Sequence, residues 1–465
     1  MINKVIWLII LSISVGCAGE TTLDRYISFA LENNLALQQK EFSYEKSIFA
    51  LREARGMFLP TLDAYARYSQ AEGGRTIYFP VGDLLNPIYQ TLNQLTGFPV
   101  FPTNIPNQTI PFLREKEQET RLRVTQPVFH PQIYYNLQIK RSLNEIEDAA
   151  RRAFARQLVA DVKTAYYNHM TAVALASITE RTGVVLQENL RVSQKLCDMQ
   201  MATIDAVYRA EAAWGRFLQQ KAEADKLLSL SQAFFNFMLN RPLDTSIDGV
   251  DSTDVNVAES YSLAELEESS LQNREEFIQL DAALIVQQNG VRLDQAAFLP
   301  GLTVVFDYGF QGEEYRFVRQ DDYWMASAVL QWNLFNGFRD RSRVQQAKLE
   351  YRRLELQREM LKKQILLDVR TAFENVQVAD FSLAAAEQEL KSARKNFDLV
   401  SKKWEQGAAP QLAFYDAQST LAQAEINQAV KKFNRLIRYA EAEKSAASLS
   451  LDAFHPYRSQ TSGGN

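Results

Sequence analysis

Two tracts of the chain place apolar residues at alternating spacings of three and four. One line runs from Leu361 through Ile365, Val369, Ala372, Val376, Ala379, Leu383, Ala386, Leu390, Ala393, Phe397 and Val400 to Trp404. That rhythm is the seam of a packed helix. After Gly407 a return arm carries Tyr415, Ser419, Ala422, Ile426, Ala429, Phe433, Leu436 and Ala440. The earlier tract is looser, with Phe154, Leu158, Val162, Ala165, His169, Ala172 and Ala176. Small residues along a seam let helices approach closely. Phe373 and Phe381, beside the seam, predict a second contact line, as in a palisade where each helix touches two neighbours. At about 1.5 Å per residue, a helix over 131–199 would extend roughly 100 Å.

Four other runs alternate with a period of two, the grammar of a strand with one apolar face. Leu62, Ala64, Ala66 and Tyr68 alternate with Asp63, Tyr65 and Arg67, and Leu122, Val124 and Val128 stand against Arg121, Arg123 and Thr125. Leu302, Val304, Phe306, Tyr308 and Phe310 alternate with Thr303, Val305, Asp307 and Gly309. Ala326, Ala328, Leu330, Trp332 and Leu334 alternate with Ser327, Val329, Gln331 and Asn333. Each run has the length of a tilted transmembrane strand, with aromatic residues near its ends. The edge of a soluble sandwich is the lesser alternative on alternation alone.

The grammar changes from helix to strand twice, each time at Phe-Leu-Pro: Phe58 to Pro60 and, 240 residues on, Phe298 to Pro300. "DVKTAYYNHMTA" from Asp161 matches "DVRTAFENVQVA" from Asp368 at an offset of 207, and "NLRVS" from Asn189 faces "NFDLV" from Asn396 at the same offset. The chain therefore reads as a duplicated unit. Proline agrees: nine of thirteen fall between Pro60 and Pro131, leaving 132–241 and 301–409 free for long helices. The predicted division is a leader over 1–18, repeat one over 19–240, a connection over 241–262, repeat two over 263–445 and a tail over 446–465. Repeat one holds a helix over 23–57, a strand over 61–70, a Pro-rich outer loop over 71–118, a strand over 119–129, and helices over 131–199 and 203–240. Repeat two holds a helix over 263–297, a strand over 301–310, a loop over 311–324, a strand over 325–335, and helices over 338–405 and 410–445.

Four strands leave two edges, and in lipid an unpaired edge must be closed. One chain supplies too few strands for a lumen, so closure needs copies.

The first residues, "MINKVIWLIILSISVGCAGE", change the compartment. A single Lys, an apolar core and small residues after it read as an export signal. Cleavage before Gly19 competes with lipidation at Cys17 in the imperfect lipobox "SVGC". No later run is long and apolar enough for a membrane helix. A formal net charge of -5 leaves no footprint for nucleic acid, and three His and two Cys leave little for a metal or thiol site. No phosphate loop, nucleophile with its base, or metal cluster is recognisable, so no cofactor and no enzymatic activity are expected.

In order and spacing, "TLDRYISFALENNLAL", the two Phe-Leu-Pro junctions, the two strand pairs and the two helical hairpins resemble the TolC-type outer-membrane factors, the outer membrane efflux protein family. "QGAAPQLAFYDAQSTLAQAE" is similar to that family's second hairpin tip. The resemblance covers nearly the whole mature chain. It implies an α+β membrane protein in the outer membrane of a Gram-negative bacterium, extending into the periplasm. The fold would be a homotrimer of long antiparallel helical hairpins forming an α-barrel, capped by a 12-stranded transmembrane β-barrel with four strands per chain. Its function would be a passive exit duct for a tripartite efflux or type I secretion system, with a periplasmic adaptor and an inner-membrane RND or ABC transporter as partners. A periplasmic coiled-coil adaptor or scaffold is the competing reading.

Within that resemblance Asp416 falls where relatives place an acidic constriction, and three such carboxylates would form a charged ring. By itself it is equally an Asp in a helix's first turn, favoured there by the dipole. A second family Asp is replaced by Ala413 and a tip Arg by Ala409, so an apolar gate of Phe414, Tyr415 and Trp404 is the alternative to an ionic lock. The tips Gln200, Met201 and Ala202 and Gln406, Gly407 and Ala408 are candidates for adaptor docking, or simply tight turns. Pro60 and Pro300 mark the helix-to-strand junctions. His169 reads as a packed polar layer and Cys197 as a small seam residue.

Overall fold

The structure, a computed structural model, describes residues 21–249 and 262–451 of the 465. The leader with Cys17, much of the 241–262 connection and most of the tail lie outside the described residues. By its contacts the chain divides into two compact units, one drawn from 1–48, 142–285 and 351–465, the other from 49–141 and 286–350.

In the first unit, reciprocal caps start two short helices. Thr21 and Asp24 exchange side-chain bonds with each other's backbone N–H (3.1 and 3.2 Å), as do Ser262 and Glu265 (3.2 and 3.0 Å). They open α1 (Thr22–Asn33) and α6 (Leu263–Asn273). Single helices over 23–57 and 263–297 were the expectation, and both are corrected. Asn34 turns extended, and its Oδ1 accepts from the N–H groups of Ala36 (3.0 Å) and Leu37 (3.1 Å), so α2 starts afresh at Leu35 and ends at Gly56. A short amide competing with the helix ladder is the physical cause, and periodicity does not register it. Arg274, 240 residues on, is likewise extended, and α7 (Glu275–Gln295) follows it.

The long helices are α4 (Pro131–Asp198), α5 (Ile204–Met238), α8 (Arg339–Glu405) and α9 (Gln411–Ala446). On α8 the seam residues Ile365, Val369, Ala372, Ala379, Ala386 and Ala393 are buried. Ser419 is exposed, contrary to a continuous seam on α9, and Phe381 on the second line of α8 is left uncovered within the chain. The reason is that α9 packs on two sides. It meets α8 through Asn427–Glu389 (2.8 Å) and an Arg435–Asp380 ion pair, and α4 through Lys163–Glu443 (2.6 Å). Glu425 bridges both, to Arg394 on α8 (3.2 Å) and Arg181 on α4 (3.6 Å). Helix α5 packs on α4's other flank, so the lateral order is α5, α4, α9, α8. One core gathers Ile27, Tyr166, Phe235 and Leu239; another gathers Leu266, Phe277, Ile365, Val369 and Ala446.

In the second unit, α2 stops four residues before β1 (Thr61–Gln70), and a short 3-10 turn over Ala296–Phe298 precedes β5 (Gly301–Gly312). Pro60 and Pro300 each stand directly before a strand, and Leu299 is extended, as a residue before proline prefers. With β4 (Lys116–Phe129) and β6 (Asp322–Gln331) they form an antiparallel sheet in the order β1-β4-β5-β6. A bulge at Pro127–Phe129 absorbs the proline in β4. Strand β6 ends earlier than the predicted 325–335. Trp332 leaves the ladder and donates its indole N–H to the Phe298 carbonyl (2.9 Å). The 71–118 loop holds structure that was not expected: a hairpin of β2 (Thr76–Phe79) and β3 (Gln108–Pro111) around α3 (Val81–Thr96).

Register sorts the sheet into two faces. Leu62, Leu122, Val124, Phe306, Tyr308, Trp324 and Leu330 share one of them. The other carries paired charges: Arg123–Asp307 (2.7 Å), Arg121–Glu119 (2.7 Å) and Arg67–Glu117 (3.5 Å). The outer strands β1 and β6 each have a free edge.

His169 is buried on α4 with Nδ1 3.0 Å from the Ser231 hydroxyl of α5, a packed polar layer. Burial lowers its pKa, so it stays neutral in the fold while the unfolded chain takes up a proton near pH 6.5. The unfolded state then binds more protons, and stability falls with pH below about 6.5 and is flat above it for this group. We expect His169→Gln to remove that part of the pH dependence of the thermal midpoint; an unchanged pH profile would contradict it.

Candidate functional site at the hairpin tips

The two turns that join the long helices are built alike. In the first, Gln200 is left-handed (φ 57), Gln200 N–H donates to the Cys197 carbonyl (2.9 Å) and Met201 N–H to that of Leu196 (2.8 Å). In the second, Gly407 is left-handed (φ 69), and Gly407 and Ala408 donate to the Trp404 (2.9 Å) and Lys403 (2.7 Å) carbonyls. These bonds satisfy the last carbonyls of α4 and α8. Glycine adopts that backbone freely at 407; at 200 a glutamine bears about 1 kcal/mol of strain. Met201 and Leu412 are largely exposed, and a hollow of about 560 Å³ is lined from both turns, by Gln200, Met201, Ala202, Trp404 and Pro410 among others. The structure thus brings the two predicted tip regions to one place.

The predicted gate residues separate into two groups. Phe414 is buried and stacks on Trp404 (4.7 Å between centroids) with Phe397 nearby (5.7 Å), fastening α9 to α8 within one hairpin. Tyr415 turns the other way. Its hydroxyl donates to Asn189 Oδ1 on α4 (2.7 Å), while Gln411 Nε2 donates to Ser193 Oγ (2.8 Å) and to Asn189 Oδ1 (3.3 Å). Burial pushes the Tyr415 phenol above its ordinary pKa, so it remains a donor. Asp416 is exposed, and its backbone carbonyl accepts from the Thr420 hydroxyl (2.8 Å). Ala409 and Ala413, where an ionic lock was found wanting in the sequence, are half-buried.

Sequence reasoning missed Asn189 and Ser193 as a working pair. Both are nine-tenths or more buried. The available signal was a pair of small polar residues one helical turn apart, where the second hairpin at the offset of 207 carries Asn396 and Val400. Cys197 is a half-buried free thiol. Among the described residues no His, Cys, Asp and Glu cluster is arranged for a metal, and no helix is long and apolar enough to cross a membrane. Among the described residues the tips offer packing, hydrogen bonding and exposed carboxylates, Asp198, Asp205 and Glu405 besides Asp416.

Residues 266–446 match the family model described as outer membrane efflux protein. Over those residues the chain is similar to that family. It is 21% identical over 353 residues to the outer membrane protein TolC of Salmonella enteritidis, covering 73% of this chain and 70% of that protein. To TolC of Escherichia coli K12 it is 22% identical over 344 residues, covering 71% and 69%. Among solved structures it is similar to the Campylobacter jejuni CmeC outer membrane channel, with a TM-score of 0.76 at 13% identity over 91% of this chain and 85% of that one. The outer membrane protein VceC of Vibrio cholerae gives a TM-score of 0.73 at 13% identity over 91% and 95%. At such identities the structural likeness establishes the fold. The matched family and both TolC relatives are outer-membrane proteins, and this similarity supports an outer-membrane place for the chain.

The bonds from Tyr415 and Gln411 to Asn189 and Ser193 join the second hairpin to the first. In a double-mutant cycle of Tyr415→Phe and Asn189→Ala, read by denaturation in detergent, we expect a coupling of about 0.5–1.5 kcal/mol. Strictly additive effects would mean that this contact ties nothing.

Proposed function

We propose that the protein is the trimeric outer-membrane exit duct of a tripartite efflux or type I secretion system, passively conducting substrate delivered by an inner-membrane RND or ABC transporter through a periplasmic adaptor. The observation that carries this is a four-stranded antiparallel sheet with one apolar face and two free edges, in a chain that also supplies two long helical hairpins. Three copies joined β1 to β6 give twelve strands with no edge, the apolar face toward lipid and the ion-paired face toward the lumen. The lateral helix order supports the same count. Flanking helices α8 and α5 leave apolar residues uncovered, among them Leu356, Met360, Phe381 and Leu399 on α8 and Tyr208, Leu230 and Phe234 on α5. Such rows need a partner, and a neighbouring copy offers each the other. A periplasmic adaptor or scaffold would need one hairpin with small β domains, and the element order carries two hairpins and a sheet.

In this reading the hairpin tips are the periplasmic gate and the docking point for the adaptor. The closed state holds the second hairpin on the first through Asn189, Ser193, Gln411 and Tyr415. Opening requires those bonds to be exchanged for water or adaptor contacts, while the Trp404–Phe414 stack lets α8 and α9 move together. The exposed Asp416 of each copy projects as a ring of three carboxylates that favours cations. No cofactor is required, and the energy comes from the pump.

Single-channel recording in planar bilayers tests the ring. We expect Asp416→Ala to lower cation selectivity and alter conductance, with Asp416→Glu close to wild type. Unchanged selectivity and conductance in Asp416→Ala would sink it.

A further inference from the structure

Residues 76–113 carry a single charged side chain, Asp83. The segment is nevertheless folded, and two of its asparagines point into that fold. Asn86 clamps Ile105, donating to its carbonyl (2.9 Å) and accepting from its N–H (2.8 Å). Asn93 clamps Phe101 in the same way (2.8 and 2.9 Å). Gly82 lets the return segment come close, since a Cβ there would lie 2.1 Å from the Ile105 carbonyl oxygen. The outward face of α3 is apolar: Leu84 is 63% exposed, Ile88 54% and Leu95 78%, with Thr91 between them bonded back to the Pro87 carbonyl (3.0 Å). A helix that bonds its asparagine amides inward and turns leucine outward is arranged for an apolar neighbour rather than for water.

We infer that this neighbour is a second copy of the same helix: around the threefold axis proposed above, on which this inference rests, the α3 elements pack through Leu84, Ile88 and Leu95 and constrict the outer mouth of the channel. The exposed positions 84, 88, 91 and 95 follow each other at four, three and four, the spacing of a helix–helix seam. A helix lying on lipid carries a wide apolar face flanked by Lys or Arg; α3 has neither cation, and Gln90 and Gln94 beside its stripe are neutral. The absence of like charge lets identical helices meet without repulsion. Placement agrees. The β1–β4 connection leaves the sheet at the end away from α2, and β1 is an edge strand that would join a neighbouring copy.

The test uses the full protein in outer-membrane fractions with Cys197→Ser, where Cys17 is either removed with the leader or blocked by lipid. Leu95→Cys is oxidised, and trimers are followed by migration before and after heating. We expect disulfide-linked dimers to approach about two-thirds of the chains, since three thiols on one axis form one bond per trimer. Gln90→Cys, about a third of a turn round α3, should cross-link several-fold less. Intact trimers without Leu95→Cys dimers would overturn the α3 contact and leave the duct reading standing, as would equal cross-linking at Gln90→Cys. Strong quenching of a bimane label at Leu95→Cys by spin-labelled lipid would assign the face to the membrane instead. Absence of trimers would overturn the duct reading itself, and this inference with it.

Discussion

An unpaired strand edge cannot be left in hydrocarbon, and this requirement organises the molecule. Each unsatisfied N–H or C=O costs several kcal/mol where no water can reach it. Strands β4 and β5 satisfy each other across the middle of the sheet, while β1 and β6 have partners on one side only. Among the described residues no further strand could join them, since β2 and β3 pair with each other. In the duct proposed above, the face of paired charges would meet a wet lumen and the apolar face lipid. Arg123 and Asp307, whose carboxylate is fully covered, are tolerable there because each satisfies the other with two bonds.

The helical unit answers a different demand, that of packing helices side by side without a central core. Alanine supplies much of the solution. Ala372, Ala379, Ala386 and Ala393 on α8 and Ala417, Ala424, Ala429 and Ala440 on α9 are buried, and small residues let two backbones approach while leaving the outer faces free. Helices α4 and α9 are the joint, because each touches its own hairpin partner and the other hairpin through ion pairs, and they meet again in the tip cluster. The contacts that α9 makes at the tip differ in kind. Aromatic stacking with α8 is insensitive to water, whereas the Asn189–Tyr415 bond can be exchanged for a bond to solvent at little net cost. A contact of that second kind suits a joint that releases, as the proposed gate would.

Much of this was legible in the sequence because repeated periodicity is hard to produce by accident. The α8 seam, the strand pairs and the two Phe-Leu-Pro junctions were found by pattern alone. The misses share a physical cause: they depend on single side chains rather than on periods. Asn34 breaks a helix by capping the next one. Trp332 ends β6 by reaching a carbonyl outside the strand. Helix α3 was hidden in a Pro-rich segment, although Pro87 sits within its first turns and Gly97 closes it in the left-handed region. At the tips, adjacency in sequence puts Tyr415 and Phe414 in one apolar gate, and the structure aims them at different helices. Asn189 and Ser193 could be recognised only once the second hairpin was laid against the first.

The central claim is that three copies close what one cannot. Native mass spectrometry of the complex extracted from outer membranes addresses it directly. The account predicts a single species of three mature chains that resists dissociation until the sheet unfolds. A folded, membrane-extracted monomer or dimer, with its strands intact, would contradict it.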